Sequence, residues 1–256
     1  MPENLGALCS DYFVNSRLDL KMDLPTSRET VLAMFDRLRR EHPGMDRFRR
    51  LTGEYLLESE PVEGQQRWAS MRKTSVRAGT VNPDSLKDAY AFHAMVLDTA
   101  PYFLSISPLD VDQVEIMFGF DFLASGNHDA IVHEALFADT PLGRIIDAAS
   151  ARPTDCRPVL GFALTDSADV QAMVEVKTRT PGGPGSPAWR GEQNDLPPEP
   201  LSVYLSLRKF GPVKDVNEIG QTLRSLAARG ERLLEQRVLQ HLLLPIREAI
   251  ASSNAG

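Results

Sequence analysis

Cysteine is scarce in this sequence: Cys9 and Cys156 are the only two among 256 residues. Two thiols cannot build a disulfide framework, and neither belongs to a CxxC pair, so a cysteine zinc site has no basis either. The plain expectation is two reduced thiols in a cytoplasmic protein. Long apolar runs are missing as well. Nowhere do 18 apolar residues follow one another, which removes a membrane-spanning helix. MPENLGALCS has no Lys or Arg ahead of a short, weak apolar run and does not read as a signal peptide.

Nucleotide and hydrolase motifs are absent too. There is no Walker A sequence; PGGPGS has no lysine at the phosphate position and does not lead from a strand into a helix. GxGxxG and GxSxG do not occur. Nucleotide-dependent and α/β-hydrolase chemistry is therefore not expected, and no cofactor is implied. A net charge of −7 argues against a general nucleic-acid binder, though it leaves room for a local basic patch.

What remains is an ordinary globular composition, 42% hydrophobic and 25% charged, long enough to bury a substantial core. RLDLKMDL (17–24) alternates cleanly, with Leu18, Leu20, Met22 and Leu24 on one face and charges on the other. Thr26 and Glu29 suggest a capping box for a helix carrying Val31, Met34, Phe35 and Leu38, closed by Pro43-Gly44. Strand-like runs follow at 53–60, 66–76 and 89–98, the last being AYAFHAMVLD, with YFLSI (102–106) a short continuation.

QVEIMFGFDFL (113–123) opens a second series with a deeply apolar face. Asn127 reads as an N-cap, Thr140-Pro141 as the start of a short helix ending near Ala149, and 157–165, 169–179 and 201–210 as strands. Residues 180–200 hold six prolines and four glycines, so this stretch reads as a flexible loop with no regular element longer than one turn. A long helix closes the chain from about Val216 to Ala249, capped by Asp215, with Gly230 and Pro245 as weak points.

These patterns predict an α+β protein with a curved, mainly antiparallel sheet covered by helices. Alternation on so many strands favours antiparallel pairing, and the apolar face demands a helical layer. The chain divides into two similar strand–helix–strands halves, 1–110 and 111–256, the second ending in the long helix. The layout resembles helix-grip and duplicated sheet-and-helix folds in topology. RLDLKMDL is a candidate edge strand guarded by its charges, and LSVYLSLRKF a less guarded one. Together with the long helix, the latter suggests a homodimer.

Three features bear on function. The stretch from Arg37 to Arg50 carries six arginines against Glu41 and Asp46, a local balance of +4. Arg37, Arg39 and Arg40 complement the negative end of a helix dipole. Arg47, Arg49 and Arg50 need another reason, and with Arg67, Lys73 and Arg77 they form a candidate interaction patch for an acidic protein surface. Trp68 points away from Arg67 on a strand, so the interleaving of aromatic and basic side chains that RNA-binding sheets use is poor. The second feature is His93, which on a strand could enter a cavity with Glu54 and Arg72 as an acid–base set. The third, His128 and His133, lies five apart, about 140° round a helix, too divergent for a metal pair. The reading is a non-catalytic binding or protein-interaction protein. A small-molecule enzyme with a cavity between sheet and C-terminal helix is the alternative, and nucleic-acid binding through the basic patch a third.

Overall fold

The computed structural model describes residues 6, 8–146, 151–190 and 197–254. Nine strands form one antiparallel sheet: β1 (Asp11–Leu20), β2 (Arg47–Leu51), β3 (Glu54–Glu58), β4 (Gln66–Arg72), β5 (Ser75–Val81), β6 (Val111–Ala124), β7 (Val159–Ala163), β8 (Val170–Lys177) and β9 (Glu199–Phe210). Their order is β2-β3-β4-β5-β1-β6-β9-β8-β7. The expected α+β class, with a large antiparallel sheet and a long C-terminal helix, is what the structure has.

Alternation decides the layers. Val14 and Leu18 on β1, Ile116, Phe118 and Phe120 on β6, and Val203, Leu205 and Leu207 on β9 turn to one side and are buried. Helices α1 (Arg28–Glu41), α2 (Leu86–Leu104), α3 (His128–Phe137), α5 (Glu218–Leu233) and α6 (Leu244–Asn254) cover that side. Helix α2 packs on β5 and β1, α5 on β6, β9 and α2, and α3 on α6. Asp98 of α2 accepts a hydrogen bond from the Gly220 amide at 2.9 Å, tying the first turn of α5 to its neighbour.

Several local expectations are corrected. AYAFHAMVLD is helix α2, not a strand; Ala89, Phe92, His93, Val96, Leu97 and Ala100 are buried at helical spacing, and Ser85 caps the start. YFLSI is the end of that helix and its cap. The helix α1 cap is Ser27, which accepts from the Thr30 amide, in place of Thr26. QRWASMRKTSV is two strands, β4 and β5, joined by a tight turn. Residues after Pro43-Gly44 form strand β2.

Neither strand read as an edge is one: β1 is central, and β9 lies between β6 and β8. The charges of β1 instead line the uncovered sheet face, where Arg17 meets Asp19 at 2.5 Å. Asp215 does not cap α5; the N-cap position is Asn217. The short helix expected after Thr140 is a 3-10 turn at Gly143–Ile145, and residues 147–150 lie outside the described residues. The Pro/Gly-rich stretch contains a one-turn helix, α4 (Pro187–Arg190); residues 191–196 lie outside the described residues, and β9 claims the stretch from Glu199.

The last helix is continuous but wound in two ways. Between α5 and α6, Leu234–Leu243 is π-helical, the Leu244 amide reaching Leu239 O five residues back. Pro245 has no N–H for the regular ladder, and the wider turn before it makes room for its ring. Among the described residues no helix is long and apolar enough to cross a membrane.

Candidate functional site

The basic residues singled out in the sequence do not share one face. By register, Arg49, Leu56, Ser70, Arg77, Arg17, Glu115 and Arg208 form one row across the uncovered face. Arg47 and Arg72 lie on that face in adjoining rows. Arg50 and Arg67 point to the helix-covered side, Arg50 over the Tyr55 ring and Arg67 beside His42. Lys73 sits in the β4–β5 turn, 3.1 Å from Asp23.

On the uncovered face three arginines pair with carboxylates: Arg49 with Glu58, Arg72 with Glu54, Arg208 with Glu115. Burial alone would raise the Glu54 pKa, but the hydrogen bonds led by Arg72 and the neighbouring guanidiniums lower it. Trp68 lies on this face too, its indole over Gly79, where any Cβ would be 2.3 Å from the ring. The matching is incomplete at Arg77, which stands directly opposite Arg17 and whose buried Nε has no hydrogen-bond partner among the described residues.

His93 is not brought to Glu54 or Arg72. It is fully buried on α2, on the covered side, while those two occupy the uncovered side, so the sheet stands between them. The Thr80 hydroxyl is 3.3 Å from its Nε2, and Nδ1 has no hydrogen-bond partner. Burial, helped by the charge of Arg67, pushes its pKa down to about 3, so the ring is neutral at physiological pH.

His128 serves the fold. Its Nε2 donates to Ala124 O at 3.0 Å and its Nδ1 accepts from the Arg179 amide at 3.2 Å, which fixes a neutral tautomer. Burial lowers its pKa in the same sense. Next to it, Asn127 caps α3, and its amide donates to Pro153 O and Trp189 O. Trp189 Nε1 donates to Pro153 O at 3.3 Å, so the α4 turn is latched onto the start of α3. Among the described residues no three His, Cys, Asp or Glu side chains are placed to hold a metal ion.

The surface that stands out is the β7 edge. The two sheet edges, β2 and β7, are built differently. β2 is RFRRL, three arginines in five residues, and its Phe48, though 44% accessible, meets Phe35 and Tyr55. β7 is VLGFA, uncharged and exposed along its whole length: Val159 is 58%, Leu160 65% and Phe162 37% accessible. Its turn into β8 is pinned by Asp169, which accepts from Thr165 and Ser167 and pairs with Lys209 at 2.5 Å. Those three partners, Lys209 first, hold the Asp169 carboxyl well below the usual range.

Leu160 and Phe162 do not project into empty solvent. They form the floor of a groove of about 450 Å³, with Val174 and Val176 of β8 beside them and Leu233, Val238 and Leu242 opposite. Arg237 and His241 also line it, and among the described residues no carboxylate does. A second recess of about 460 Å³ adjoins it at Pro158 and includes the exposed Leu142 and Ile145. Sequence reading placed a strand at 157–165 but not at an edge; an uncharged run such as PVLGFALT ordinarily belongs to an interior strand, so nothing in the sequence marked the edge. No protein-family model, curated protein or solved structure matches the chain, so this surface stands on its own geometry.

Proposed function

We propose that the chain is a non-catalytic protein-interaction module that receives an extended segment along β7. One observation carries this reading: an uncharged, exposed edge strand lies beside a continuous apolar groove, where natural sheets ordinarily place charge, proline or a cover. An added strand satisfies the outward backbone groups of β7 and lays alternate side chains into the groove, which is how β-strand addition combines affinity with selectivity. The groove lies between sheet and C-terminal helix, where an enzyme's cavity was the alternative expectation. Among the described residues its lining lacks the histidine–carboxylate pair that acid–base chemistry would use, which favours docking over catalysis.

Selection from a random peptide display library tests the reading. Bound peptides should carry apolar residues at alternate positions, and Gly161→Pro should weaken their binding at least tenfold. Peptides held equally well by the proline variant would refute docking at this edge.

A further inference from the structure

We infer that the segment β7 receives is β7 of a second copy, paired antiparallel about a twofold axis through Gly161; this rests on the docking reading above. The hydrogen-bond pattern sets the register. Val176 N donates to Pro158 O at 3.0 Å and Leu164 N to Val170 O at 2.8 Å, so the even-numbered residues of this strand face β8. By alternation Val159, Gly161 and Ala163 direct their N–H and C=O groups outward. An antiparallel copy centred on Gly161 then sets Gly161 against its own equivalent and Val159 against Ala163, with about six backbone hydrogen bonds across the axis. No other occupant is needed to satisfy the edge.

Side chains fit the same register. Leu160 of one copy lies opposite Phe162 of the other, twice, an aliphatic–aromatic pair on the groove side. The strand itself contributes no charge, so nothing ionic is buried unpaired. At its ends the charge is complementary: Arg157 precedes the strand and Asp166 follows it, and antiparallel pairing brings the basic end of each copy to the acidic turn of the other. Arg157, exposed and closed on Asp155 at 2.6 Å within its own chain, is placed to exchange partners. Exposed Leu160, Phe162, Leu142 and Ile145, with Val159 on the other sheet face, offer roughly several hundred Å² towards the ~800 Å² per partner of a standard interface. A twofold contact closes on itself and leaves neither β7 edge open, so it ends at a dimer.

Disulfide trapping tests both the contact and its register. In a Cys9→Ser, Cys156→Ser background, Gly161→Cys should cross-link to itself on mild oxidation, because a hydrogen-bonded antiparallel pair holds its Cα atoms about 5.5 Å apart, within disulfide reach. Val159→Cys should not cross-link to itself, yet should do so when mixed with Ala163→Cys. The parent chain should sediment at micromolar concentration at twice its 28.4 kDa mass. Gly161→Pro should sediment as a monomer while keeping the parent's circular dichroism, since it removes only an outward N–H. Self-cross-linking of Val159→Cys, or a folded proline variant that stays dimeric, would overturn the inference. So would a monomeric parent; if that monomer still bound selected peptides at β7, the docking reading would survive without it.

Discussion

Gly230 offers a case in which two well-known effects of one substitution oppose each other. In the middle of a helix, Gly→Ala normally stabilises by about 1 kcal/mol. Here α5 crosses the sheet so closely that a Cβ on Gly230 would lie 2.4 Å from Phe118 Cε2 and 3.1 Å from Leu207 Cδ1. Phe118 cannot withdraw easily. It is 1% exposed, sits on the central strand β6 between Val14 and Leu205, and meets Tyr90 edge to face with centroids 6.4 Å apart. Overpacking of this kind costs about 1–3 kcal/mol, and so close an approach to a fixed ring belongs in the upper part of that range. Set against the helix gain, Gly230→Ala should lower stability by a net of about 1–2 kcal/mol. That is a fall in Tm of about 2–4 °C for each kcal/mol in a chain of this size. Urea unfolding of Gly230→Ala, Phe118→Leu and the double variant checks it. The shorter leucine side chain at position 118 should relieve the clash, so the double variant should be more stable than the two single losses added together, by about 1 kcal/mol. A Gly230→Ala protein more stable than its parent would refute the close-approach argument.

The remaining expectations concern the buried histidine, the latch and the guarded edge. His93 has a native pKa of about 3 against about 6.5 when unfolded. Between those values the unfolded chain binds the proton and the native one does not, so stability present above pH 6.5 is lost as pH falls towards 3. His42 and His128, also lowered, act in the same sense, so the test is the difference: His93→Leu should flatten the dependence of the urea midpoint on pH, and an unchanged slope would count against it. Asn127→Ala removes the α3 cap, one bond to the latched turn at Trp189 O and one to Pro153 O. It should cost about 1 kcal/mol, speed amide exchange over 180–190, and shift tryptophan emission to the red as Trp189 is released. Exchange unchanged at Trp189 would show that the turn is held by other contacts. At the β2 edge, Arg49→Gln breaks the 3.1 Å pair with Glu58, whose side chain is only 11% exposed, and should cost about 1 kcal/mol. Arg47→Gln, which gives up only a 4.0 Å approach to the exposed Glu60, should stay within about 0.5 kcal/mol; equal effects would sink the distinction.

Where the sequence reading succeeded, one periodicity stood alone. QVEIMFGFDFL alternates without a competing helical pattern, and β6 is among the most deeply buried strands. Where it failed, two periods overlapped. In AYAFHAMVLD, Tyr90, Phe92 and Val96 satisfy period two over a few residues, but Ala89, Phe92, His93, Val96 and Ala100 satisfy 3.6 over the longer span from Ser85. The alanine content and Ser85 with Asp88 three residues later were the distinguishing signals, and both favour helix. Strand β2 was hidden for a different reason. RFRRL looks like a basic surface segment because arginine does its guarding on a sheet edge, and only pairing with β3 reveals it as a strand.

Strand order was the least legible quantity, and the candidate site depends on it. Charges on one face of RLDLKMDL are compatible with an edge or with the solvated face of a central strand, since both expose them. The pairing of β1 with both β5 and β6 settles the matter in favour of the second, and that moves the edges outward to β2 and β7. Their unlike construction then acquires meaning. If β7 faced only water, one charged substitution at Leu160 or Val159 would protect it at little cost, because both side chains are more than half exposed and support little of the core. β2 has this protection three times over in five residues, whereas β7 has none. An edge kept apolar beside an apolar groove is the arrangement expected when another strand covers it.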